Sequence, residues 1–465
     1  MGESCMEEQS MPRGGTVKTL ALEQDHDPTA QEAPIPPEYV PKVFQYIEST
    51  ARGIEAMTDA TTGLVYDRIE FTEQGIVNNE KTSPTNIGLQ IAHIKALEKL
   101  EILDSSVADA KISKILDSVE RLPHHNGLFF SWYNPRDLSV VVDPKDTNEH
   151  HKNGRWISSV DNAWMAEGLA LAARTTSDPE IAQKADFLLH RMTFADMYNP
   201  LTRLYHGEID ANTGKKSDFE YPLLLSETRA IVYTGIQYFN MPEESLFALR
   251  KYAPPGEDEP SDMSPSDLST YGGAMFEAML PKHLYPEDAW SKHMKQAGLN
   301  VILDQIRYGD EHNYGYWGFS PCEHADHQVG YQAYGTPGHS ICPYGVEGTV
   351  TPHAVALAVI LVGRKAIHQL MRQENDFPGL YNQKYGFMDS AKMFVTEEGK
   401  EVRLVARHIL ALDAMMTNIS LFSGLTGGGL ANYGDRSAGA RRLRRAIRLH
   451  MSEPTPEDDQ YHQAA

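Results

Sequence analysis

The sequence predicts an all-α fold, and the spacing of its apolar residues carries that prediction. From about residue 36 to about residue 450, apolar residues recur at i, i+3 and i+4, which is the period of one helix face. The strict alternation that is typical of strands is scarce. Three pairs, Ser83-Pro84, Asp178-Pro179 and Thr351-Pro352, place a capping side chain before a proline, a pattern that favours helix N-termini.

The pattern predicts about twelve helices. In chain order they lie near residues 37–57, 85–103, 106–121, 160–176, 179–194, 222–239, 270–281, 286–306, 352–373, 388–395, 402–422 and 436–450. The 465 residues of the chain are enough for one large core or two medium ones.

The two ends of the chain lack this helical period. Residues 1–35 and residues 451–465 are polar, and we expect both to be disordered. The sequence therefore predicts a single folded domain over residues 36–450.

The chain is strongly acidic, with 64 acidic residues against 42 lysines and arginines and a formal net charge of −22. A nucleic acid or an anionic membrane would meet repulsion, so we expect neither as a partner and favour a neutral or cationic substrate. The acidity has a plainer explanation as well, since net charge by itself keeps a protein in solution.

The cysteines point to a reducing compartment. Cys5, Cys322 and Cys342 are too few and too widely spaced for a disulfide framework or a thiolate zinc site. Residues 1–35 hold no apolar run that suits a signal peptide, and no apolar stretch of about eighteen residues occurs in the chain. The sequence therefore predicts a cytoplasmic protein.

Three long connections between the predicted helices are rich in Gly, Tyr, Trp, Asn and His. They are residues 123–158, 195–221 and 308–351. Connections of this length inside a domain are usually functional. Aromatic rings pack on the faces of sugars and carboxylates bind hydroxyl groups, so this composition favours a carbohydrate cleft; the alternative is that the loops only cover helix ends.

A series of motifs resembles one protein family. Thr82-Ser83-Pro84-Thr85-Asn86-Ile87-Gly88-Leu89 is similar to the opening motif of the glycoamylase-like domains of cyclic β-1,2-glucan synthases, which are related to endo-β-1,2-glucanases. The resemblance continues in order through residues 130–134, 158–162, 225–229, 273–277, 316–320, 331–335, 351–354 and 385–389. It thus covers roughly residues 50–425.

The resemblance implies an (α/α)6 barrel with its active site in a cleft at one mouth, which agrees with the count of about twelve helices. It implies a glycoside hydrolase that cleaves a glucan or glucooligosaccharide, with β-1,2 linkages preferred. A transglycosylase on related glucans and a non-catalytic carbohydrate-binding protein are the alternatives, because one scaffold can change its substrate or lose its activity. No cofactor is expected, and the oligomeric state stays open.

Glycoside cleavage needs a protonated acid at the leaving oxygen and a second carboxylate. Glu227 is the candidate acid, because the apolar residues on both sides would enclose it and raise its pKa. The resemblance also implies a catalytic role for it. The alternatives for Glu227 are an ion pair with Arg229 and an acid favoured by a helix N-terminus.

Two aspartates are the further catalytic candidates. Asp161 follows a serine pair and could be a helix cap, but the resemblance places it in the sugar cleft as a binding or catalytic residue. Asp413 interrupts an apolar run, where an unpaired charge is costly. The resemblance implies that Asp413 is a general base, although Ala414-Met415 stands where the family has Gln-Gly.

Further residues are candidates for substrate binding. Glu323 and Glu347 border the loop that begins at Trp317; Glu347 stands near the place of an aspartate that transglycosylating relatives use as a nucleophile. The full set of candidates is Arg229, Trp164, Trp317, Glu323, Tyr331, Tyr334 and Glu347. For each aromatic residue the alternative is ordinary core packing. The His324-Ala325-Asp326-His327 segment is only a weak metal signal, and we expect no metal.

Overall fold

Helices dominate the structure, as the sequence predicts. The computed structural model describes residues 35–142, 152, 154–251, 267–434 and 436–452. The ends that we expect to be disordered lie outside these ranges, apart from Ile35 and residues 451–452.

The described residues form fourteen α-helices. They are α1 (Val40–Ala56), α2 (Pro84–Lys99), α3 (Ser105–Arg121), α4 (Ser159–Thr175), α5 (Pro179–His190), α6 (Thr228–Tyr238), α7 (Glu244–Phe247), α8 (Met275–Met279), α9 (Glu287–Trp290), α10 (Lys292–Glu311), α11 (Pro352–Leu357), α12 (Val359–Asp376), α13 (Ala411–Thr426) and α14 (Ala438–His450). Short 3₁₀ helices cover Pro37–Tyr39, Phe194–Met197, Leu280–His283 and Gly429–Tyr433.

The predicted helix starts are confirmed. The side chains of Ser83, Asp178 and Thr351 each accept a hydrogen bond of 2.8–3.3 Å from a backbone amide two or three residues further on. In each helix a proline takes the next position, where its missing N–H costs nothing. These local signals fix where α2, α5 and α11 begin.

Six helices form a series in which each contacts the next along the chain and the last contacts the first. They are α2, α4, α6, α8, α11 and α13. Helix α2 packs on α4 and α13, α4 packs on α6, and α11 packs on α8 and α13. Between α6 and α8 the Arg229 guanidinium donates to the carbonyls of Glu277 and Ala278. Helices α1, α3, α5, α10, α12 and α14 pack on the outside of this set.

The burial of the two sets explains this arrangement. Every residue of α2 from Pro84 to Leu97 is buried, because the helix has neighbours on all sides. Helix α3 buries one stripe, which includes Ala108, Ile112, Ile115 and Val119, and exposes the rest. The inner helix α2 is therefore buried all round, whereas the outer helix α3 is amphipathic.

Two glycines allow α2 and α4 to approach closely. A Cβ atom at Gly88 would lie 2.2 Å from the carbonyl oxygen of Trp164, and one at Gly168 would lie 2.5 Å from the carbonyl oxygen of Gly88. Both distances are far inside van der Waals contact. The crossing thus depends on the absence of a side chain at these positions.

Fifteen short strands form six antiparallel sheets in the connections between the described helices. The strands are β1 (Arg68–Thr72), β2 (Gly75–Asn78), β3 (His124–His125), β4 (Leu128–Phe129), β5 (Trp156–Ser158), β6 (Glu208–Asp210), β7 (Lys215–Lys216), β8 (Cys322–Glu323), β9 (Tyr331–Gln332), β10 (Thr349–Val350), β11 (Tyr381–Asn382), β12 (Gly386–Phe387), β13 (Ala391–Val395), β14 (Glu401–Val405) and β15 (His408–Leu410). The strand orders of the sheets are β15-β1-β2, β10-β13-β14, β5-β6-β7, β3-β4, β8-β9 and β11-β12.

Two predicted helices are wrong in this region. Residues 388–395 contain strand β13 instead of a helix, and the helix predicted over 402–422 begins only at Ala411. Strands β13 and β14 form a hairpin in which Lys392 pairs with Leu404 and Phe394 pairs with Val402. Polar and apolar residues alternate along Glu401–Val405, which is the period of a strand.

Among the described residues, no helix combines the length and the apolar character that a membrane crossing requires.

Candidate active site

The first turns of the inner helices carry polar residues that lie near one another. The Thr85 hydroxyl at the start of α2 donates to the Asp161 carboxylate in the first turn of α4. Glu227 directly precedes α6, and Glu277 lies in the first turn of α8. His353 and Asp413 occupy the first turns of α11 and α13. A helix N-terminus carries partial positive charge, so this end of the helices favours carboxylates.

Glu227 has the environment that the sequence predicts for an acid. Desolvation, followed by the charges of Glu277 and Asp161, raises its pKa to about 8. Its side chain makes no capping hydrogen bond to α6, so no helix amide offsets these effects. The carboxyl group is therefore protonated at neutral pH and able to donate a proton. The ion pair with Arg229 that we considered as an alternative does not form, because Arg229 pairs with Glu287.

Asp161 lies in the first turn of α4, and its charge contributes to the raised pKa of Glu227. The Ser158 side chain caps the helix by accepting a hydrogen bond of 3.2 Å from the Asp161 amide, so Asp161 itself is not the cap. Desolvation raises the pKa of Asp161, and the charges of Glu208 and Asp67 act in the same direction.

Asp413 belongs to a buried cluster with Asp389 and His353. One side-chain oxygen or nitrogen of each residue lies within 4.8 Å of those of the others. The Asp413 Oδ2 atom lies 3.2 Å from His353 Nδ1, and the Glu323 N–H donates to Asp389 Oδ2 over 2.6 Å. Desolvation and the charge of Asp389 raise the pKa of Asp413 well above its usual value. Desolvation also raises the pKa of Asp389, to about 7, so the two neighbouring carboxyl groups share a proton and titrate as a pair.

The same cluster is where a metal ion could bind among the described residues. Its donor set of one imidazole and two carboxylates is suitable in kind. However, His353 Nδ1 also lies 2.6 Å from the Thr351 hydroxyl, and Asp389 already accepts the Glu323 amide. Desolvation lowers the pKa of His353 to about 3, so the ring is neutral. The arrangement fits a proton-sharing carboxylate pair, and the absence of a metal stays a prediction.

Three acidic residues of the site were not among the sequence candidates. Glu277 and Asp389 each end a family motif, and this position is the sequence signal that could have nominated them. Both residues are buried. Asp67 follows no recognisable pattern, yet its charge raises the pKa of both Asp161 and Asp413. The Asn79 and Asn86 amides hold the Asp67 carboxylate at 2.9 and 3.0 Å.

Glu323 and Glu347 have different surroundings. Glu323 is buried in strand β8 and forms an ion pair with Arg68. Glu347 is exposed, adopts a positive φ of 51° and pairs with Lys392 over 3.3 Å. Glu323 thus lies next to the cluster of Asp413, Asp389 and His353, because its amide donates to Asp389. Glu347 lies on an exposed loop outside that cluster.

Exposed tyrosines lie beside the acids. Tyr331 is 56 % exposed, and after desolvation the charges of Asp413 and Glu227 are among the causes that raise its pKa. It therefore lies close to both candidate catalytic groups. Tyr344 is 39 % exposed, and its raised pKa reflects desolvation and then the charges of Glu277 and Glu227. Tyr344 was not predicted.

Besides Glu323, four further substrate-binding candidates are buried. Trp164, Trp317 and Tyr334 are 1 %, 6 % and 3 % exposed, so they offer no open ring face to a sugar. Arg229 is fully buried, and its donors go to Glu287 and to backbone carbonyls. Core packing, the alternative for the aromatic residues, describes their positions better, and the proposed site does not include these four.

Family models match two parts of the chain. The glycoamylase model, described as "putative glucoamylase", matches residues 256–425, and a model described as a protein of unknown function (DUF3131) matches residues 52–199. Cyclic β-(1,2)-glucan synthase NdvB of Rhizobium meliloti is 24 % identical over 139 residues. That match covers 30 % of this chain and 4 % of the synthase.

Solved structures share the fold. The endo-β-1,2-glucanase from Chitinophaga pinensis, solved with sophorotriose and glucose, superposes with a TM-score of 0.68 at 14 % identity and covers 88 % of this chain and 97 % of its own. The endo-β-1,2-glucanase mutant from Talaromyces funiculosus, solved with β-1,2-glucan, gives 0.68 at 13 % identity and covers 90 % of each chain. The resemblance that the motifs indicate is thus confirmed: residues 256–425 match the glycoamylase model, and the chain shares the fold of these endo-β-1,2-glucanases.

Proposed function

We propose that this protein is a glycoside hydrolase that cleaves a β-1,2-linked glucan or glucooligosaccharide at the mouth of an (α/α)6 barrel. One observation carries the proposal. Desolvation raises the pKa of Glu227 to about 8, whereas in the Asp389–Asp413 pair, which shares a proton, the pKa of Asp389 is raised only to about 7, so this pair ionises before Glu227 does. Two carboxyl sites whose environments set different protonation states are what acid/base cleavage of a glycoside requires.

The proposed roles follow from these states. Glu227 donates its proton to the leaving glycosidic oxygen as the bond between that oxygen and the anomeric carbon breaks. A water molecule forms the new bond to the anomeric carbon and gives a proton to the ionised half of the Asp389–Asp413 pair. Asp161 lies near Glu227 and binds substrate hydroxyls or assists the water.

Features around the acids support a neutral sugar as the substrate. The Tyr331 and Tyr344 rings are exposed beside the carboxyl groups and can pack on sugar faces. A net charge of −22 disfavours anionic substrates. The β-1,2 linkage is proposed from the substrates named for the two glucanases that share the fold.

A transglycosylase is the second candidate function. The stretch that matches the cyclic β-(1,2)-glucan synthase favours it. A transferase would pass the cleaved glucan to another sugar hydroxyl, so its products would be longer or cyclic chains instead of short reducing ones. The sequence-based proposals of a single domain over residues 36–450 and of a cytoplasmic location accompany either function.

The test is incubation of the purified protein with β-1,2-, β-1,3-, β-1,4- and α-linked glucans, with the products separated by chromatography. We expect short β-1,2-linked oligosaccharides from the first substrate alone. Longer or cyclic products would favour the transglycosylase. Binding of a glucan without any product would favour the non-catalytic protein and would contradict the proposal.

A further inference from the structure

One buried guanidinium fixes the backbone beside two acids of the site. Arg229 Nη1 donates to the carbonyl oxygens of Ser226 and Glu277, over 2.9 and 2.8 Å. Its Nη2 donates to the Ala278 carbonyl over 2.5 Å, and its Nε donates to Glu287 over 2.6 Å. The residue before Glu227 and the backbone of Glu277 are therefore held by the same side chain.

The Glu277 carboxylate is fixed in turn by backbone amides. It accepts the N–H of Tyr271 over 2.7 Å and the N–H of Gly272 over 3.1 Å, and the residue is 3 % exposed. Desolvation raises the pKa of Glu277 to about 7, and the two amide donors oppose this rise because they favour the ionised form of a carboxyl group. Glu227 makes no capping bond of this kind. Of the two acids, Glu277 is therefore the one that ionises first, and its negative charge then acts on Glu227.

We propose that Glu277 is a positioning residue for the candidate acid Glu227. Arg229, which is paired with Glu287, holds the Glu277 backbone beside the residue that precedes Glu227, and the negative charge of Glu277 keeps the proton on Glu227. The inference rests on the proposed function for its catalytic meaning, but the arrangement itself rests on the hydrogen bonds of Arg229 and Glu277. In this role Glu277 acts on the reaction only through the protonation of Glu227.

Other groups near Glu227 contribute less than Glu277 does. Among its charged neighbours the effect of Glu277 on the Glu227 pKa is larger than that of Asp161 on α4. The positive charge of Arg229 is compensated by its ion pair with the buried Glu287. The nearby tyrosines have raised pKa values and stay neutral in the relevant range; they are Tyr221, Tyr331 and Tyr344.

The direct test is an infrared pH titration of the carboxyl groups in the full chain, with Glu227→Gln used to assign the Glu227 band. In Glu277→Gln we expect the Glu227 midpoint to fall by about one pH unit, because a neighbouring charge is lost while the side-chain shape is kept. Glu277→Asp keeps the charge and should keep most of the midpoint. Glu208→Gln is the matched control, because the charge of Glu208 raises the pKa of Asp161 but is not among the causes that raise the pKa of Glu227.

An unshifted midpoint in Glu277→Gln, or an equal shift in Glu208→Gln, would overturn the inference. If Glu277→Gln does not fold, Glu277→Ala removes the same charge: a Glu227 midpoint that falls by more than the Glu208→Gln shift supports the inference, and no fall overturns it. On a cleaved glucan, the fall in rate at alkaline pH should move down by the same amount as the midpoint. A shifted midpoint without any cleavage would contradict the proposed function alone, whereas cleavage with an unshifted midpoint would contradict this inference alone.

Discussion

The acidic residues of the candidate site are all desolvated but differ in their hydrogen-bond partners, and these partners oppose the rise in pKa to different degrees. Glu277 accepts two amides, Asp67 accepts two asparagine side chains, and Asp389 accepts the Glu323 amide. Glu227 makes no capping bond, and its pKa is raised to about 8. A desolvated acid without donors keeps its proton, which is the requirement for a general acid.

The raised pKa of Glu227 has a consequence for stability. Between about pH 4.5, where the unfolded carboxyl titrates, and about pH 8, the folded state binds the extra proton, so the free energy of unfolding falls as pH rises. Glu227→Gln removes this contribution. We expect the melting temperature of the variant to exceed that of the native protein by a margin that grows from about pH 5 to about pH 8. Calorimetry at several pH values measures the margin, and a constant or shrinking one would contradict the assignment.

The carboxylate pair predicts a second set of variants. Asp413→Asn should lower the cleavage rate by roughly 10²–10⁴-fold, because the base that accepts the proton of water is lost. Asp389→Asn should shift the acid side of the pH–rate profile to lower pH, since the proton-sharing partner is gone. Asp186→Asn, exposed on α5, is the control and should retain the native rate. Native-like activity in Asp413→Asn would remove it from the mechanism.

At this scale the sequence could predict the acids whose local neighbours enclose them. The leucines that precede Glu227 and the apolar run around Asp413 indicate burial from neighbouring residues in the chain alone. The environment of Asp389 comes instead from a segment that is distant in sequence, since the Glu323 amide donates to it, whereas the amides that hold Glu277 come from the turn just before its helix. The burial of Trp164 and Trp317 is likewise set by tertiary packing, which a motif does not reveal.

Among the elements, the α2–α4 crossing is sensitive to a small change. Gly168→Ala would place a Cβ atom 2.5 Å from the Gly88 carbonyl oxygen, so one helix must move. We expect the free energy of unfolding to fall by about 1–3 kcal/mol, the usual cost of overpacking. Chemical denaturation measures the change. Gln183→Ala on the exposed face of α5 should stay within about 0.5 kcal/mol, and an equally small effect in Gly168→Ala would show that the crossing is not tight.

The helices and strands also show what a sequence pattern can and cannot indicate. Helix starts at Ser83, Asp178 and Thr351 are predictable because the cap bonds are local. The β13–β14 hairpin is missed because its strands are five residues each and lie next to a long helix whose apolar run dominates the window. Helix α2 is buried all round, so its apolar residues do not mark one face as they do in the amphipathic outer helix α3.

For the whole molecule, the inner helices bring residues from Asp67 to Asp413 into one site, so nearly the full length of the chain contributes. The strong net negative charge surrounds a site that we propose for a neutral sugar. Binding of such a ligand releases few counterions. With Glu227→Gln as a non-cleaving form, we expect the Kd for a β-1,2-glucan to change less than about twofold between about 50 and about 500 mM salt. Calorimetric titration measures it, and a tenfold or larger weakening would indicate a charged ligand.

The most direct test of the central claim, that Glu227 is the acid of a glycoside hydrolase, compares two substrates. The rates of the native protein and of Glu227→Gln are measured on two substrates. One is a β-1,2-glucan, and the other is the aryl β-glycoside of a β-1,2-linked glucooligosaccharide, whose aryl leaving group departs without protonation. We expect a loss of roughly 10²–10⁴-fold on the glucan and a much smaller loss on the aryl substrate, because only the first needs an acid. Equal losses on both substrates, or none on the glucan, would contradict the assignment of Glu227.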